Sequence, residues 1–442
     1  MTYKYIIPIL IVLGFSISSQ LDTYSIIGIG LFSFFGLKIF DEIGTKIEIR
    51  DIIIMFAITQ WIIGPMLAYK TMENDIIYFM AIPQPHYMEF VVTGAIAYIL
   101  GLYSPPLYKN YPVAFFLENL KKQNYKNLDI ALIIIGFIAK FLENITPISF
   151  KFFIYLIANL RFVGLFMLFT SNRKNKYIYF AIVYFSLFII ALGYAMFFEF
   201  ILWTLFAMFY LAIVIKPSKK TKLISLFIVI FIVISIQTVK FYYRQELQNT
   251  DKSRIEVFFD IFSQKVLSTD YLQSETNIQG TVTRINQGWI IARIMHYMPT
   301  YEPFANGETI KTAINASLVP RFLNPNKIQA GGRNYFTRFT GKDISENTSM
   351  GLSLIGEAYA NFGKQGGYVF MFCIGLFFSF IIYIINQNSL KHPILLFFLP
   401  IIFLHSVKAE TDFAVVLNYT VKASIFTLIF FFVVRNFFKI KI

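Results

Sequence analysis

The sequence predicts an all-α membrane protein with about twelve membrane-spanning helices and one large, partly helical loop outside the membrane. Hydrophobic residues make up 57% of the 442 residues and charged residues only 14%, against about 25% charged in an average soluble domain. Apolar runs of about 20 residues, enough to cross a bilayer as a helix, recur along the chain. One long polar stretch, residues 241–366, interrupts them late in the sequence.

Three parts follow from this pattern: a helical bundle in residues 1–240, the polar loop in 241–366, and a C-terminal group of spans in 367–442. The predicted spans are residues 4–20, 24–40, 52–69, 88–103, 128–143, 148–170, 177–196, 199–215, 222–240, 367–386, 394–407 and 413–434. An even number of spans places both ends of the chain on one side of the membrane. The odd number before the loop places the loop on the other side.

The charge distribution predicts which side is which. Lysine and arginine concentrate in the short connections 104–127, 171–176 and 216–222 and in the tail after residue 434. Such connections are cytoplasmic by the positive-inside rule, so both termini are predicted to be cytoplasmic and the loop periplasmic or extracellular. The net charge of +14 is then interpreted as a topology signal and a contact to anionic lipid, not as a nucleic-acid surface.

The residues that usually hold metals are scarce. Cys373 is the only cysteine, and the four histidines are scattered along the chain. A disulfide within the chain and a cysteine metal cluster are thereby excluded. No nucleotide-binding glycine loop, metal-ligand spacing or nucleophile elbow occurs, so the sequence predicts no metal and no cofactor.

The polar loop is expected to be partly helical. The patterns of residues 253–268 and 281–297 predict two helices, and a third is predicted from about residue 351 to 361. Residues 305–341 are rich in Pro, Gly and Asn and are expected to be mostly irregular.

Arginines of the loop are candidate ligands for a phosphate group, because Arg keeps its charge and grips phosphate through two parallel hydrogen bonds. The candidates are Arg293, Arg321, Arg333 and Arg338. Of these, Arg333 and Arg338 stand out because they adjoin a glycine pair and the motif described below. The alternative is that the arginines only keep an exposed loop soluble.

Arg161 is a separate candidate because it lies well inside the predicted span 148–170. A charge at such depth costs at least about 2.5–3.5 kcal/mol on insertion scales, so it should face a partner or a wet cavity. Arg161 is therefore either a contact for phosphate or another polar substrate group, or half of an ion pair that fixes two helices.

Glu357 is the first candidate for a general base. Ser353, Glu357 and Asn361 recur at intervals of four residues and form one polar stripe on the predicted helix. A partly buried carboxylate on such a stripe can have a pKa near neutrality and accept a proton from a hydroxyl. Tyr359 lies elsewhere on this helix and suits stacking against a sugar ring. The alternative is a structural carboxylate that pairs with a loop arginine.

His296 is the second candidate for a general base. Trp289, Arg293 and His296 share one face of a predicted helix, which would offer a stacking ring, a guanidinium and an imidazole together. The alternative is an amphipathic helix that lies on the bilayer with Trp289 in the interface.

A motif in the loop resembles a known family. Residues 349–363 read Ser-x-Gly-x-Ser-x-x-Gly-Glu-x-Tyr-x-Asn-Phe-Gly and lead into the next span. With about twelve spans and one late outer loop, the chain resembles bacterial oligosaccharide repeat-unit polymerases of the Wzy type, which build O-antigen and capsule. Some of these polymerases carry an Arg and a Gly separated by ten residues, a spacing that Arg321 and Gly332 match once.

The resemblance implies a glycosyltransferase of the bacterial inner membrane. A growing glycan on undecaprenyl diphosphate would be the donor, and a lipid-linked repeat unit would be the acceptor. The acceptor hydroxyl would attack the anomeric carbon, arginines would neutralise the leaving diphosphate, and Glu357 or His296 would accept the proton. The implied partners are this lipid-linked oligosaccharide and membrane lipid, and binding of a separate chain-length regulator is left open.

Three other functions fit the same pattern. An O-antigen ligase, or another lipid-linked glycosyltransferase, would transfer the glycan to a different acceptor. A polysaccharide flippase would need paired halves with broken spans at matching positions, which the sequence does not clearly have. A non-catalytic scaffold for chain-length regulators would need none of the candidate residues.

Overall fold

The protein is helical throughout the part of the chain that the computed structural model describes. The described residues are 3–47, 49–107, 118, 120, 125, 127–247, 250, 252–266, 275–318, 332–346 and 348–439, with only the backbone described at 241, 275–278 and 318. Within these ranges eighteen α-helices occur and no β-strand. The helices are α1 (Tyr3–Ser18), α2 (Thr23–Glu42), α3 (Ile49–Ile58), α4 (Gly64–Thr71), α5 (Gln84–Leu102), α6 (Leu128–Leu142), α7 (Ile148–Thr170), α8 (Lys176–Tyr194), α9 (Phe198–Ile215), α10 (Lys219–Glu246), α11 (Arg254–Val266), α12 (Glu275–Ile285), α13 (Gly288–Tyr297), α14 (Glu308–Leu318), α15 (Arg333–Thr340), α16 (Leu354–Ser389), α17 (Leu399–Phe403) and α18 (Phe413–Asn436).

Eight helical segments of the described chain are long and apolar enough to cross a membrane. They are α2, the continuous segment Ile49–Thr71 that contains α3 and α4, α7, α8, α9, α10, α16 and α18. Each of them overlaps one of the predicted spans. The chain is therefore a helical membrane protein, as its composition predicts.

The other four predicted spans correspond to helices outside this group. The helix α1 and the segment Pro393–Phe403 are apolar but short. The helix α6 has 15 residues, which makes it about 22 Å long against a hydrocarbon core of about 30 Å. The helix α5 has 19 residues but carries Gln84, His86 and Glu89 in its first two turns. The total of twelve spans stays a prediction.

The chain forms two compact units. The first consists of Met1–Asp41, Glu48–Tyr111 and Ile285–Val434, and the second of Glu42–Ile47, Pro112–Arg284 and Arg435–Ile442. The polar loop is thus divided between the two units after Arg284. The borders predicted at residues 241 and 366 fall inside α10 and α16.

In the first unit, the polar loop contacts a membrane span where the helix of that span is broken, between α3 and α4. Pro65 has no N–H to offer to the carbonyl of Trp61, and the chain responds with a π-helical turn at Thr59–Ile63 between α3 and α4. The Trp61 carbonyl instead accepts the hydroxyl of Tyr87 at 2.8 Å. The carbonyl of Gln60 accepts the N–H of Gln287, from the start of α13, at 3.1 Å. The Gln60 carbonyl at this break therefore binds the polar loop to the span.

Close backbone contacts continue along this unit. The helices α5 and α16 approach through glycine, since a Cβ on Gly101 would lie 2.2 Å from the carbonyl oxygen of Phe372. Small residues allow such approach between membrane helices. In the loop, the helix predicted at 281–297 is divided into α12 and α13 at residues 286–287. The prediction that 305–341 is mostly irregular is wrong for α14 and α15, which lie within it.

In the second unit, α11 packs its apolar side against α8 and α10. Val257, Phe258 and Ile261 of α11 belong to one buried cluster with Leu192 and Val239. The helices α6 and α7 also pack closely, because a Cβ on Gly136 would lie only 2.7 Å from the Cβ of Arg161. Arg161 is thereby held inside the helical bundle of this unit.

We expect Gly64→Ala to destabilise the protein by about 1–3 kcal/mol, since overpacking a close contact has costs of that size. The new Cβ would lie 2.0 Å from the backbone oxygen of Ile285, which cannot rotate away as a side chain can. Thermal unfolding of the purified protein in detergent measures the effect.

Gly280 provides the matched control. It also lies in a helix, but nothing stands within 4 Å of its Cβ position. Gly280→Ala should be neutral or stabilise by up to about 1 kcal/mol through the better helix propensity of alanine. Equal unfolding midpoints for the two variants would show that residue 285 does not contact the break.

Candidate functional site

The motif at residues 349–363 lies at the centre of the first unit. Ser353 begins α16, and its Oγ accepts the N–H of Gly356 at 3.2 Å. Ten residues later Gly363 adopts a φ of +63° and interrupts the helix before it continues as the long span. The first turns of α16 are therefore a separate short segment, as predicted for residues 351–361, and they lie among the loop helices.

Two members of the predicted polar stripe meet one hydroxyl group. Thr309, in the first turn of α14, donates its hydroxyl to Glu357 Oε1 at 2.6 Å. The same hydroxyl accepts the side-chain N–H of Asn361 at 2.8 Å. Asn361 Oδ1 accepts the backbone N–H of Gly307 at 3.1 Å. The stripe thus fixes the start of α14 against α16.

A second carboxylate completes this network. Glu357 Oε2 accepts the backbone N–H of Phe413 at 2.8 Å. The preceding residue, Asp412, accepts the backbone N–H groups of Gly332 at 3.1 Å and of Leu352. Burial raises the pKa of Asp412 above the ordinary aspartate value. The two carboxylates therefore hold the start of α18, the start of α15 and the motif together.

The network is closed to solvent. Ser353, Glu357, Asn361 and Thr309 are all 0% exposed. Glu357 accepts hydrogen bonds from a hydroxyl and a backbone N–H, not from a loop arginine, and its role as a general base stays a prediction. Tyr359 is also in the core, where its ring meets the edge of Phe90 at 5.0 Å.

The predicted phosphate ligands differ in how far their charge is already neutralised. Arg338 donates to Glu302 at 2.6 Å and to both oxygens of Glu308 at 2.9 and 3.1 Å. These hydrogen bonds raise the pKa of Arg338. Arg333 lies 3.8 Å from the exposed Glu346 and is itself 41% exposed. Arg338 is therefore engaged with two carboxylates, whereas Arg333 is only loosely paired.

The helix α13 runs from the core to the solvent. Trp289 is buried, with its ring 5.4 Å from that of Tyr78 and 6.0 Å from that of Phe336. One turn later, the half-buried guanidinium of Arg293 lies over the ring of Phe79 at 5.4 Å. His296, a further turn along, is exposed. The three residues share a helix face as predicted, but only Arg293 and His296 are accessible to a ligand.

Lys342 joins Arg293 on this surface. It follows Gly341, whose Cβ position lies 2.4 Å from the ring of Tyr297 at the end of α13. Burial lowers the pKa of Lys342, the charge of Arg293 lowers it further, and Asp75 acts in the opposite direction. Within the described ranges neither cation forms an ion pair. Two partly buried like charges therefore lie near each other, and Asp75 offsets part of the charge of Lys342.

Two candidates remain. Arg161 is buried in the second unit. Arg321 lies outside the described residues. Among the residues that are described, no group of three or more His, Cys, Asp or Glu side chains is arranged to hold a metal ion.

Sequence reasoning missed two of these residues. Thr309 follows Glu308 at the start of a helix that was not expected, and no spacing links it to residue 357. Lys342 is one of many loop cations, and its position opposite Arg293 depends on how α15 packs along α13.

The fold and this site define a helical membrane protein whose loop helices are anchored on its spans by buried carboxylates. The chain belongs to the family described as a domain of unknown function, DUF8712, whose model matches residues 67–388. That range includes Arg293, Thr309, Lys342 and Glu357, and ends before Asp412. No curated protein and no solved structure matches the chain.

Thr309→Val should lower the free energy of unfolding by about 1–3 kcal/mol, because it leaves Glu357 and Asn361 buried without one hydrogen-bond partner each. Thr309→Ser retains the hydroxyl and should lose less. The partly exposed Thr312, one turn along α14, provides the control variant Thr312→Val. Thermal unfolding compares the three, and equal losses for Val and Ser at position 309 would argue against the bridging hydroxyl.

Asp412 should make stability depend on pH. Because its pKa is raised in the folded protein, the folded state binds a proton where the unfolded state does not. Its contribution to the unfolding free energy therefore falls as the pH rises from about 4 towards 7. The stability of the wild type relative to Asp412→Asn should be greater at pH 4 than at pH 7, by more than about 1 kcal/mol, the scale of one pKa unit. Denaturant unfolding at both pH values measures this difference, and a constant difference would contradict the raised pKa.

Proposed function

We propose that the chain is a membrane glycosyltransferase that joins oligosaccharide units carried on a lipid diphosphate, and that it acts as a polymerase at the outer face of the bacterial inner membrane. The observation that carries this proposal is that the neighbouring cations Arg293 and Lys342, beside the exposed His296, form no ion pair among the described residues. A diphosphate is the anion that such a pair suits, because it brings two or more charges in one group.

The reaction is a substitution at the anomeric carbon of the donor glycan. The acceptor hydroxyl forms the new C–O bond, and the bond between the anomeric carbon and the diphosphate oxygen breaks. The bonding electrons leave with the diphosphate, whose charge Arg293 and Lys342 stabilise. The hydroxyl proton passes to a base. The energy comes from the glycosyl diphosphate, so the reaction requires no nucleotide.

The geometry favours His296 over Glu357 as this base. His296 is exposed and lies three residues from Arg293 on the same helix face. Glu357 is 0% exposed, and both of its oxygens already accept hydrogen bonds. A general base must come within hydrogen-bond distance of the proton it accepts. In this proposal Glu357 is a positioning residue, which holds α14 and α18 in place.

Arg338 has a different role in the proposal. Its two carboxylate partners leave no positive charge for a ligand, so it stabilises the loop instead of binding substrate. The resemblance of residues 349–363 to repeat-unit polymerases supports the choice of substrate class. The proposed topology, with cytoplasmic termini, would put Arg293 and Lys342 on the outer side of the membrane.

Reconstituted protein tests the proposal directly. The purified chain in proteoliposomes, supplied only with lipid-diphosphate-linked repeat units from its own organism, should produce a ladder of glycan lengths. Arg293→Met and Lys342→Met should each lower the rate about 10²–10³-fold, the usual effect of removing a group that stabilises developing charge. His296→Gln should lower it about 10²–10⁴-fold through loss of the base.

Lys311→Met is the matched control, because it removes an exposed cation from α14 without touching the cation pair. It should retain nearly the full rate. Transfer of glycan only to a lipid A core would instead identify a ligase. Full activity of the Arg293, Lys342 and His296 variants, at normal abundance in the membrane, would reject the assignment of these residues.

A further inference from the structure

Arg161 is a buried charge in the middle of a membrane-spanning helix. It is residue 14 of the 23 in α7 and is 3% exposed. Its guanidinium carbon lies 4.8 Å from the centre of the Phe162 ring. That ring stacks in turn on Trp203 of α9 at 3.9 Å. The guanidinium is thus fixed at one end of a stack of two aromatic rings.

Its hydrogen-bonding capacity is largely unused. Two of the three guanidinium nitrogens, Nε and Nη1, are buried and have no partner among the described residues. In α7 and α9 the other buried side-chain atoms without a partner are Asn159 Nδ2 and Trp203 Nε1, which are also nitrogen donors. These two helices therefore hold an excess of buried donors over acceptors.

The carboxylates that act on Arg161 at a distance are bonded elsewhere. Glu143 and Glu199 both attract its charge electrostatically. Glu143, however, accepts Lys140 at 2.6 Å, and Glu199 accepts the hydroxyl of Tyr155 at 3.0 Å. They offset part of the charge but do not satisfy the guanidinium N–H groups.

A guanidinium cannot escape this situation by losing its proton, because arginine stays charged in proteins. Buried charges are otherwise paired or hydrogen-bonded, and an unpaired one is strongly unfavourable. The missing partner must supply several acceptor atoms and negative charge. A phosphate group has both, in the geometry that the guanidinium matches.

We propose that Arg161 binds a phosphate group inside the helical bundle of the second unit, either from a lipid head group or from a soluble phosphate compound. The inference does not rest on the proposed glycosyltransferase activity. It concerns a site in a different unit of the chain from Arg293, Lys342 and His296.

Binding to the delipidated full-length protein tests the site with two probes. Inorganic diphosphate represents the soluble source. Phosphatidic acid in mixed micelles represents the lipid source, with diacylglycerol of the same chains as the phosphate-free reference. Native mass spectrometry and thermal unfolding report binding. We expect the wild type to bind at least one phosphate probe, and Arg161→Met to bind it about 10–100-fold more weakly, the usual effect of losing hydrogen bonds from a charged group.

Lys151→Met is the control, because Lys151 lies on the same helix but is exposed, and it should bind as the wild type does. If Arg161→Met does not fold, Arg161→Lys keeps the charge, loses the planar fork and should still bind more weakly. Binding of phosphatidic acid alone identifies a head-group site, and binding of diphosphate alone identifies a soluble ligand. Equal binding by wild type and the position-161 variants, or no binding of either probe to the wild type, overturns the proposal.

Discussion

The first unit depends on one buried carboxylate. Glu357 accepts a hydroxyl from α14 through one oxygen and a backbone N–H at the start of α18 through the other. These two contacts join segments that lie 48 and 56 residues from Glu357 along the chain. Because a buried carboxylate without such partners is strongly unfavourable, the three helices must meet in this arrangement for the unit to be stable. The loop helix α14 is in this way attached to the membrane spans.

The need for a hydrogen-bond partner applies to every polar group in the membrane spans, because lipid cannot supply one. The break at Pro65 follows this rule: the carbonyls at the break are taken by Tyr87 and by Gln287 of the loop. Asp412 obeys it through two backbone N–H groups. The same requirement, a partner for each buried polar group, therefore explains both the contacts at the break in the span and the position of the loop. Arg161 departs from this rule, since two of its nitrogens lack a partner in the described structure, as do Asn159 Nδ2 and Trp203 Nε1.

Properties that depend on local pattern could be predicted from the sequence, and properties that depend on long-range contact could not. Eight candidate spans follow from apolar runs, and the four-residue spacing of Glu357 and Asn361 correctly predicts that these two side chains share one face, where both contact Thr309. Spacing cannot tell whether such a stripe faces solvent or a second polar group, so the role of Thr309 was missed. The short helix α15 was missed because Gly and Asn around it favour irregular structure.

The cations of the loop differ in their ion-pair partners, and composition does not reveal this difference. The sequence favours Arg333 and Arg338 as ligands, yet Arg338 has two carboxylate partners, whereas Arg293 forms no ion pair among the described residues. A loop that only needed solubility would gain stability by pairing Arg293 or Lys342 with an acid, because two half-buried like charges repel. Retaining this repulsion in the free protein lowers stability, and a bound anion would remove it. Solubility therefore does not explain why Arg293 and Lys342 lie near each other without an ion pair, whereas binding of an anion does.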